Sequence, residues 1–281
     1  MKEPLIEKFP TEVFGCPYAG QNKELQSCLK RQYCKFINGT CNKPRKSKSD
    51  IKVGICSVGY KPDFMNKFTP VIICPQRFKE EIVFKTIKKK YLPKWKNIEW
   101  IPEVSLGKSG KVDYVAIKKN RKGEIIDFLC VEIQASGTTG SPFDAVKDLK
   151  KTKKYTKQSY GYGINWANEF SKTMMQQAYK KGNIIYNWKR KIVFVIQDIA
   201  IDYLKNATDT KRLFSRKPKL PIDFCTFSLK WNKNKSQWSL KFSKIYSTDI
   251  KGINSMLSGT EKSTYPTEDQ FISNIIRRQK R

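Results

Sequence analysis

Val112-Asp113-Tyr114-Val115-Ala116-Ile117-Lys118 and Ile125-Ile126-Asp127-Phe128-Leu129-Cys130-Val131-Glu132-Ile133-Gln134, with Lys119-Asn120-Arg121-Lys122-Gly123 turning between them, decide the fold of this chain. Both runs are rich in β-branched and aromatic residues and the segment between them is polar, which predicts an antiparallel hairpin. A hairpin centred between Lys122 and Gly123 sets Asp113, nine residues before Lys122, opposite Glu132, nine residues after Gly123. Side chains alternate along a strand, so Glu132 and Gln134 share a face while Val131 and Ile133 point into the opposite layer.

Two carboxylates about 5 Å apart repel by roughly 3 kcal/mol at an effective dielectric of about 20. A divalent cation removes that cost. Asp113 and Glu132 offer hard oxygen ligands that suit Mg²⁺, which is held by one or two protein carboxylates and keeps positions for water and a substrate phosphate. Such a site favours phosphodiester hydrolysis by a metal-activated water. The other reading is an exposed hairpin with one polar face.

Outward from the hairpin, the chain alternates strands and helices. Upstream, Val71 to Cys74 reads as a buried strand and Gln76 to Tyr91 as a helix with Phe78, Ile82 and Ile87 on its apolar face; Ile98 to Leu106 reads as another strand. Downstream, Ser141-Pro142-Phe143-Asp144 starts a helix reaching about Lys157, and a second helix from about Asn165 stops at Gly182. Lys191 to Gln197 is a buried strand, Asp223 to Trp231 and Gln237 to Tyr246 form a late hairpin, and Thr267 to Arg281 a short basic helix. The expected fold is α/β, a mixed central sheet flanked by helices.

Composition narrows the chemistry. The 281 residues hold 56 Lys plus Arg, 25 Asp plus Glu and no His, a net charge of +31. Without His there is no imidazole triad and no His-ligated zinc, so catalysis must rest on carboxylates, amides, lysines or metals. The positive field selects nucleic acid as partner, although a Lys-rich composition alone also raises charge. No apolar run is long enough for a membrane helix and the first residues lack a signal-peptide core, so the expected location is intracellular, in the cytoplasm.

Cys16, Cys28, Cys34 and Cys41 fall within 26 residues, separated by eleven, five and six others, in a polar segment with little aliphatic core. Residues 1–50 therefore read as a small arm stapled by a metal, and residues 51–281, after the basic linker Lys43 to Ser49, as the larger domain. Four thiolates fit Zn²⁺ or a single iron; four free thiols are the other reading. Cys74 and Cys130 read as small buried hydrophobes.

Val112-Asp113 with Val131-Glu132-Ile133-Gln134 resembles the Asp…Glu-x-Lys signature of the PD-(D/E)xK nuclease fold, with Gln134 in place of Lys. Glu-Ile-Gln followed by Ala135 to Gly140, together with the four cysteines, Ile101-Pro102-Glu103-Val104, Gly163-Ile164-Asn165-Trp166 and Val195-Ile196-Gln197-Asp198, is similar to the NotI-type restriction endonucleases over roughly Phe14 to Asp198. The resemblance implies a homodimeric, Mg²⁺-dependent type II enzyme that cuts a palindromic site in double-stranded DNA, with iron on Cys16, Cys28, Cys34 and Cys41. It implies that Asp113 and Glu132 bind the catalytic metal and that Gln134 positions the attacking water or a phosphate oxygen. Gln carries no charge, so the positive charge must come from metal or a nearby cation. Glu103 is a candidate third acid.

Gly137, Thr138, Thr139 and Gly140 lie between the Glu132 strand and a helix start, where backbone N–H groups favour a DNA phosphate. The pattern lacks the Gly-Lys-Ser/Thr ending of a Walker loop, so no nucleotide cofactor is expected. Lys147, Lys150 and Lys154 could continue a backbone track, and Tyr160, Tyr162 and Trp166 read either as DNA-facing or as core. Two rivals to the site-specific endonuclease are a noncatalytic DNA-binding protein on a nuclease-like scaffold and a repair or mobile-element nuclease of low specificity. Retention of both Asp113 and Glu132 favours the enzyme.

Overall fold

The computed structural model describes residues 3–18, 23–45, 48–152, 159–258 and 267–279. Lys46 and Ser47 of the basic linker, Lys153, Lys154, Lys157 and Gln158 after the lysine-rich helix, and the terminal Lys280 and Arg281 lie outside them.

Near the N-terminus, strands β1 (Pro10–Val13), β2 (Cys16–Pro17), β3 (Ile55–Tyr60) and β4 (Thr69–Ile72) form a sheet in the order β2-β1-β3-β4. Helix α1 (Lys23–Arg31) follows β2. The pairing of β1 with β3 joins the first fifty residues to the following chain, and Pro44–Arg45 pairs with Lys48–Lys52 where a linker was expected.

The central sheet is built from β5 (Glu99–Ser105), β6 (Lys111–Lys119), β7 (Ile125–Ile133), β10 (Ile192–Gln197), β11 (Phe214–Ser215), β12 (Ile222–Asn232) and β13 (Gln237–Thr248). A small pair, β8 (Thr138–Gly140) and β9 (Tyr162–Ile164), stands apart. The central order is β11-β13-β12-β10-β7-β6-β5; β7, β10 and β12 run parallel and the remaining neighbours antiparallel. This is the mixed sheet that the hairpin and the alternation of elements predict.

Alternation along the central strands divides the core into two layers. Leu129, Val131, Val193, Val195, Cys225 and Phe227 face one side, where Phe78 and helix α2 (Glu81–Tyr91) add Val83 and Ile87. Cys130, Ile192, Phe194, Ile196, Ile222 and Phe224 face the other, against α3 (Phe143–Thr152), α4 (Met175–Asn187), α5 (Asp198–Ala207) and α6 (Ile250–Ser258). Burying Phe78, Val83 and Ile87 stabilises the fold by roughly 1.5–3 kcal/mol each.

The predicted 76–91 helix is two pieces. Pro75–Lys79 is a 3-10 turn and Glu80 is extended, so α2 begins at Glu81 and turns Val83 inward, leaving Ile82 exposed. The second downstream helix does not stop at Gly182 but continues to Asn187. Gly182 is a packing contact, not a cap: a Cβ there would lie 2.6 Å from Ile222 Cδ1. Helix α7 (Glu268–Gln279) carries a capping box, with Thr267 Oγ1 accepting from Gln270 N–H and Gln270 Oε1 from Thr267 N–H. No helix among the described residues is long and apolar enough to cross a membrane.

A buried guanidinium ties the two sheets together. Arg77 is fully buried, pairs with Glu12 of β1 at 3.0 Å and Glu80 at 2.7 Å, and donates to the Trp238 carbonyl of β13 at 3.1 Å. Its planar head lies 4.6 Å from the centre of the Phe36 ring.

Candidate active site

The β6–β7 ladder pairs Tyr114 with Val131 and Val115 with Cys130, and continuing that register sets Asp113 opposite Glu132. Asp113 Oδ2 accepts a 2.7 Å hydrogen bond from Ile133 N–H, which fixes its carboxylate across the end of β7. Glu132 lies one residue from the carboxyl end of β7 and shares a face with Cys130, so its side chain enters the layer that β7 shares with α4. It is 4% exposed there.

Lys181 meets it. The Lys181 ammonium donates to Glu132 Oε1 at 2.7 Å and to the Lys111 carbonyl at 2.6 Å, with Gln177 Oε1 at 3.4 Å. Burial pushes the Glu132 carboxyl up to about 7; the bond from Lys181 opposes the rise and the charge of Asp113 adds to it. Sequence reading missed Lys181 among the chain's many lysines. The signal was its position: Ala178, Lys181, Gly182 and Ile185 recur at i, i+3, i+4 and i+7, and all four are buried on one stripe of α4.

Gln134 stands just past β7, half-buried, and donates through Nε2 to the Ala135 carbonyl at 3.1 Å and to Glu169 Oε2 at 3.2 Å. Glu169 belongs to a π-helical segment, Ala167–Met174, directly before α4; such widened turns recur at functional sites. Nothing in the sequence linked it to Gln134. Its carboxylate also presses on Gly137, where a Cβ would lie 2.2 Å from Glu169 Oε1.

Glu103 is not drawn into the acid pair. It lies on β5 with a positive φ of 53°, is exposed, and pairs with Lys111 at 3.1 Å. Thr138 to Gly140 form β8, so the expected loop is a short strand paired with β9, and Gly137 faces the Glu169 carboxylate. The α3 start does form, with Phe143 N–H donating to Ser141 Oγ. Lys147 and Lys150 are exposed on α3, and Lys147 pairs with Asp144 at 2.7 Å. Tyr160, Tyr162 and Trp166 are buried; Tyr162 donates to the Gly59 carbonyl and Trp166 stacks on Phe170 and Tyr203. They belong to the core.

Asp113 and Glu132 fit one hard divalent cation. Both are carboxylates on neighbouring strands, set opposite each other by the β6–β7 register, and together they offer the hard oxygen ligands that such an ion takes. The cysteines fit a soft metal in part. Cys16 and Cys28 bring their sulfurs to 3.7 Å, close to the edge of about 3.8 Å that metal–sulfur bonds of about 2.3 Å make in a tetrahedron. Cys34 and Cys41 are buried too, but Cys34 shares its surroundings with Cys41 and Cys74. Among the described residues, no three Cys, Asp or Glu stand close enough together to hold a metal. Burial pushes the Cys16 thiol up to about 12, with the Lys35 charge opposing it.

A family model described as restriction endonuclease NotI matches residues 12–212, well over half of the chain. No curated protein matches it.

Proposed function

Because the chain belongs to the NotI restriction endonuclease family, a family of type II site-specific DNA endonucleases, we propose that it cuts both strands of DNA as a Mg²⁺-dependent homodimer, with Asp113, Glu132 and Gln134 at the reacting phosphate. The observation that carries this reading is the cross-strand placement of Asp113 against Glu132 at the carboxyl end of β7.

Asp113 and Glu132 would hold the cation, which when bound lowers the pKa of a water and offsets charge on the scissile phosphate. The protein's own groups do the rest. Asp113 is oriented by the Ile133 N–H, Glu132 by the Lys181 ammonium, and both carboxylates are fixed before substrate arrives. Glu169 accepts from Gln134 Nε2, which leaves the Gln134 carbonyl oxygen to accept a hydrogen bond from the attacking water and so orient it.

Exposed Lys147 and Lys150 on α3, with Thr138, Thr139 and the backbone around Gly140, are proposed to contact DNA phosphates. Gly137, also expected to meet a phosphate, is the weakest candidate because the Glu169 carboxylate would repel a phosphate beside it. Residues 1–50 are proposed as an arm that contacts DNA and carries one iron or zinc. The Cys16–Cys28 separation supports that assignment, and full ligation requires Cys34 and Cys41 to close on the pair.

The test is digestion of DNA of known sequence with purified protein and Mg²⁺, followed by sequencing of the ends. The reading expects double-strand breaks at one recurrent palindrome. Tight binding without breaks would favour a noncatalytic binder, and breaks scattered without sequence preference would favour a nuclease of low specificity.

A further inference from the structure

The side chain of Lys181 sits where an ordinary core would place an aliphatic residue. Its α4 neighbours on the same stripe are Ala178 and Ile185, and the ion pair it makes is 8% exposed on the lysine and 5% on Glu132. A buried pair of this kind contributes little net stability, since desolvation of both charges offsets their attraction, and an apolar pair of similar volume is often as good or better. Stability alone therefore gives no reason for charge at this position.

The ammonium has a more specific setting. It is surrounded by three oxygens of three different origins: a carboxylate of β7, a main-chain carbonyl of β6 and a side-chain amide of α4. An ammonium has three donors, so this set can satisfy all of them. The carbonyl belongs to Lys111, two residues from Asp113 on the same strand. One cation thus bridges the two strands that carry the acid pair. Gln134 is neutral and is itself engaged with Glu169, so it cannot supply that charge.

We propose that Lys181 is a placeholder cation, which keeps Glu132 and Asp113 assembled in the metal-free protein and yields part of its hold on Glu132 when the divalent ion enters. This rests on the reading of Asp113 and Glu132 as metal ligands. It makes Lys181 a positioning residue, and the cost of its presence is weaker metal binding, because its charge and that of the metal repel at a separation of about 5 Å.

The experiment uses the full chain, stripped with a chelator and without DNA, at alkaline pH, with Mn²⁺ as the probe. Binding is read by electron paramagnetic resonance and folding by thermal unfolding with and without Mn²⁺. Lys181→Met should bind Mn²⁺ at least tenfold more tightly than the unaltered protein. It should also gain more in Tm on Mn²⁺ addition, because the metal now supplies the only positive charge at Glu132. Lys181→Arg, which keeps the charge, should stay within about threefold of the unaltered affinity. Lys181→Gln, neutral but able to bond the same oxygens, should follow Met and serves if Met does not fold. Unchanged or weaker Mn²⁺ binding in the folded neutral variants would overturn the placeholder role. Mn²⁺ binding that Asp113→Asn leaves untouched would overturn the metal-site reading itself, and the inference with it.

Discussion

Replacing Asp113 by Asn should abolish cleavage while leaving the fold as stable as before. The Asp113 carboxylate does two things in this structure: it accepts the Ile133 N–H at 2.7 Å and it faces Glu132 across the hairpin. An amide oxygen can accept the same N–H, so the hairpin remains closed. Losing the charge weakens that bond by about 1 kcal/mol. It also removes repulsion from Glu132, roughly 3 kcal/mol at 5 Å and a dielectric of about 20. Asp113 is only half-buried, so solvent screening cuts that gain to about 1 kcal/mol. The two changes nearly cancel, and Tm in chelator should move by no more than about 4 °C. Activity should not survive, because a metal carboxylate supports several kcal/mol of transition-state stabilisation, and about 4 kcal/mol is a rate factor of about 10³. Single-turnover cleavage in saturating Mg²⁺, run well below Tm, measures this directly. The reasoning fails if the variant cuts within tenfold of the unaltered rate, or if Tm falls by more than about 8 °C and the two effects cannot be separated.

Glu132→Gln should behave differently, losing cleavage and also stability. It leaves the buried Lys181 ammonium unpaired, a change worth about 3–5 kcal/mol, and thermal unfolding should recover when Lys181→Met is added. Arg77→Met strands the buried Glu12 carboxylate and frees the Trp238 carbonyl; denaturant titration should show a loss of about 3–5 kcal/mol, with Glu12→Gln in the same chain restoring part of it. Elemental analysis should find about one iron or zinc per chain, lost in Cys16→Ser or Cys28→Ser and kept in Cys225→Ser, whose thiol is buried in the central sheet; loss that tracks Cys225 equally would remove the assignment. If the +31 charge is spent on phosphates, log K for nonspecific duplex binding should fall with log salt at about −0.9 per phosphate contacted. A slope shallower than about −2 would make the charge compositional and withdraw Lys147 and Lys150 as contacts.

The fold was legible where local pattern and tertiary demand agree. The hairpin is such a place: turn residues, β-branched runs and the burial of Val131 all require one register, and that register brings Asp113 to Glu132. It fails where a residue has two meanings. Gly182 reads as a helix stop because glycine weakens helices, yet here it admits Ile222 against α4, and packing overrides propensity. Gly137 to Gly140 read as a loop, but both of its glycines serve close approach: Gly137 to Glu169 and Gly140 to the Gly161 carbonyl. Neither partner is predictable from a stretch of sequence around the glycine.

The same limit explains the site. Asp113, Glu132 and Gln134 lie on one hairpin, so a short-range rule can relate them. Lys181 and Glu169 reach that hairpin from a helix more than thirty residues further on, and the relation exists only after β7 and α4 pack. The Lys181 ammonium is nevertheless what makes the acid pair tenable before metal arrives. Without Lys181, a 4%-exposed carboxylate would stand next to a second negative charge with only backbone N–H groups to offset the two. The chain would then protonate Glu132 or distort the hairpin. A lysine on the apolar stripe of α4 is therefore a long-range consequence of placing two acids opposite each other on β6 and β7 with a neutral Gln134 beside them.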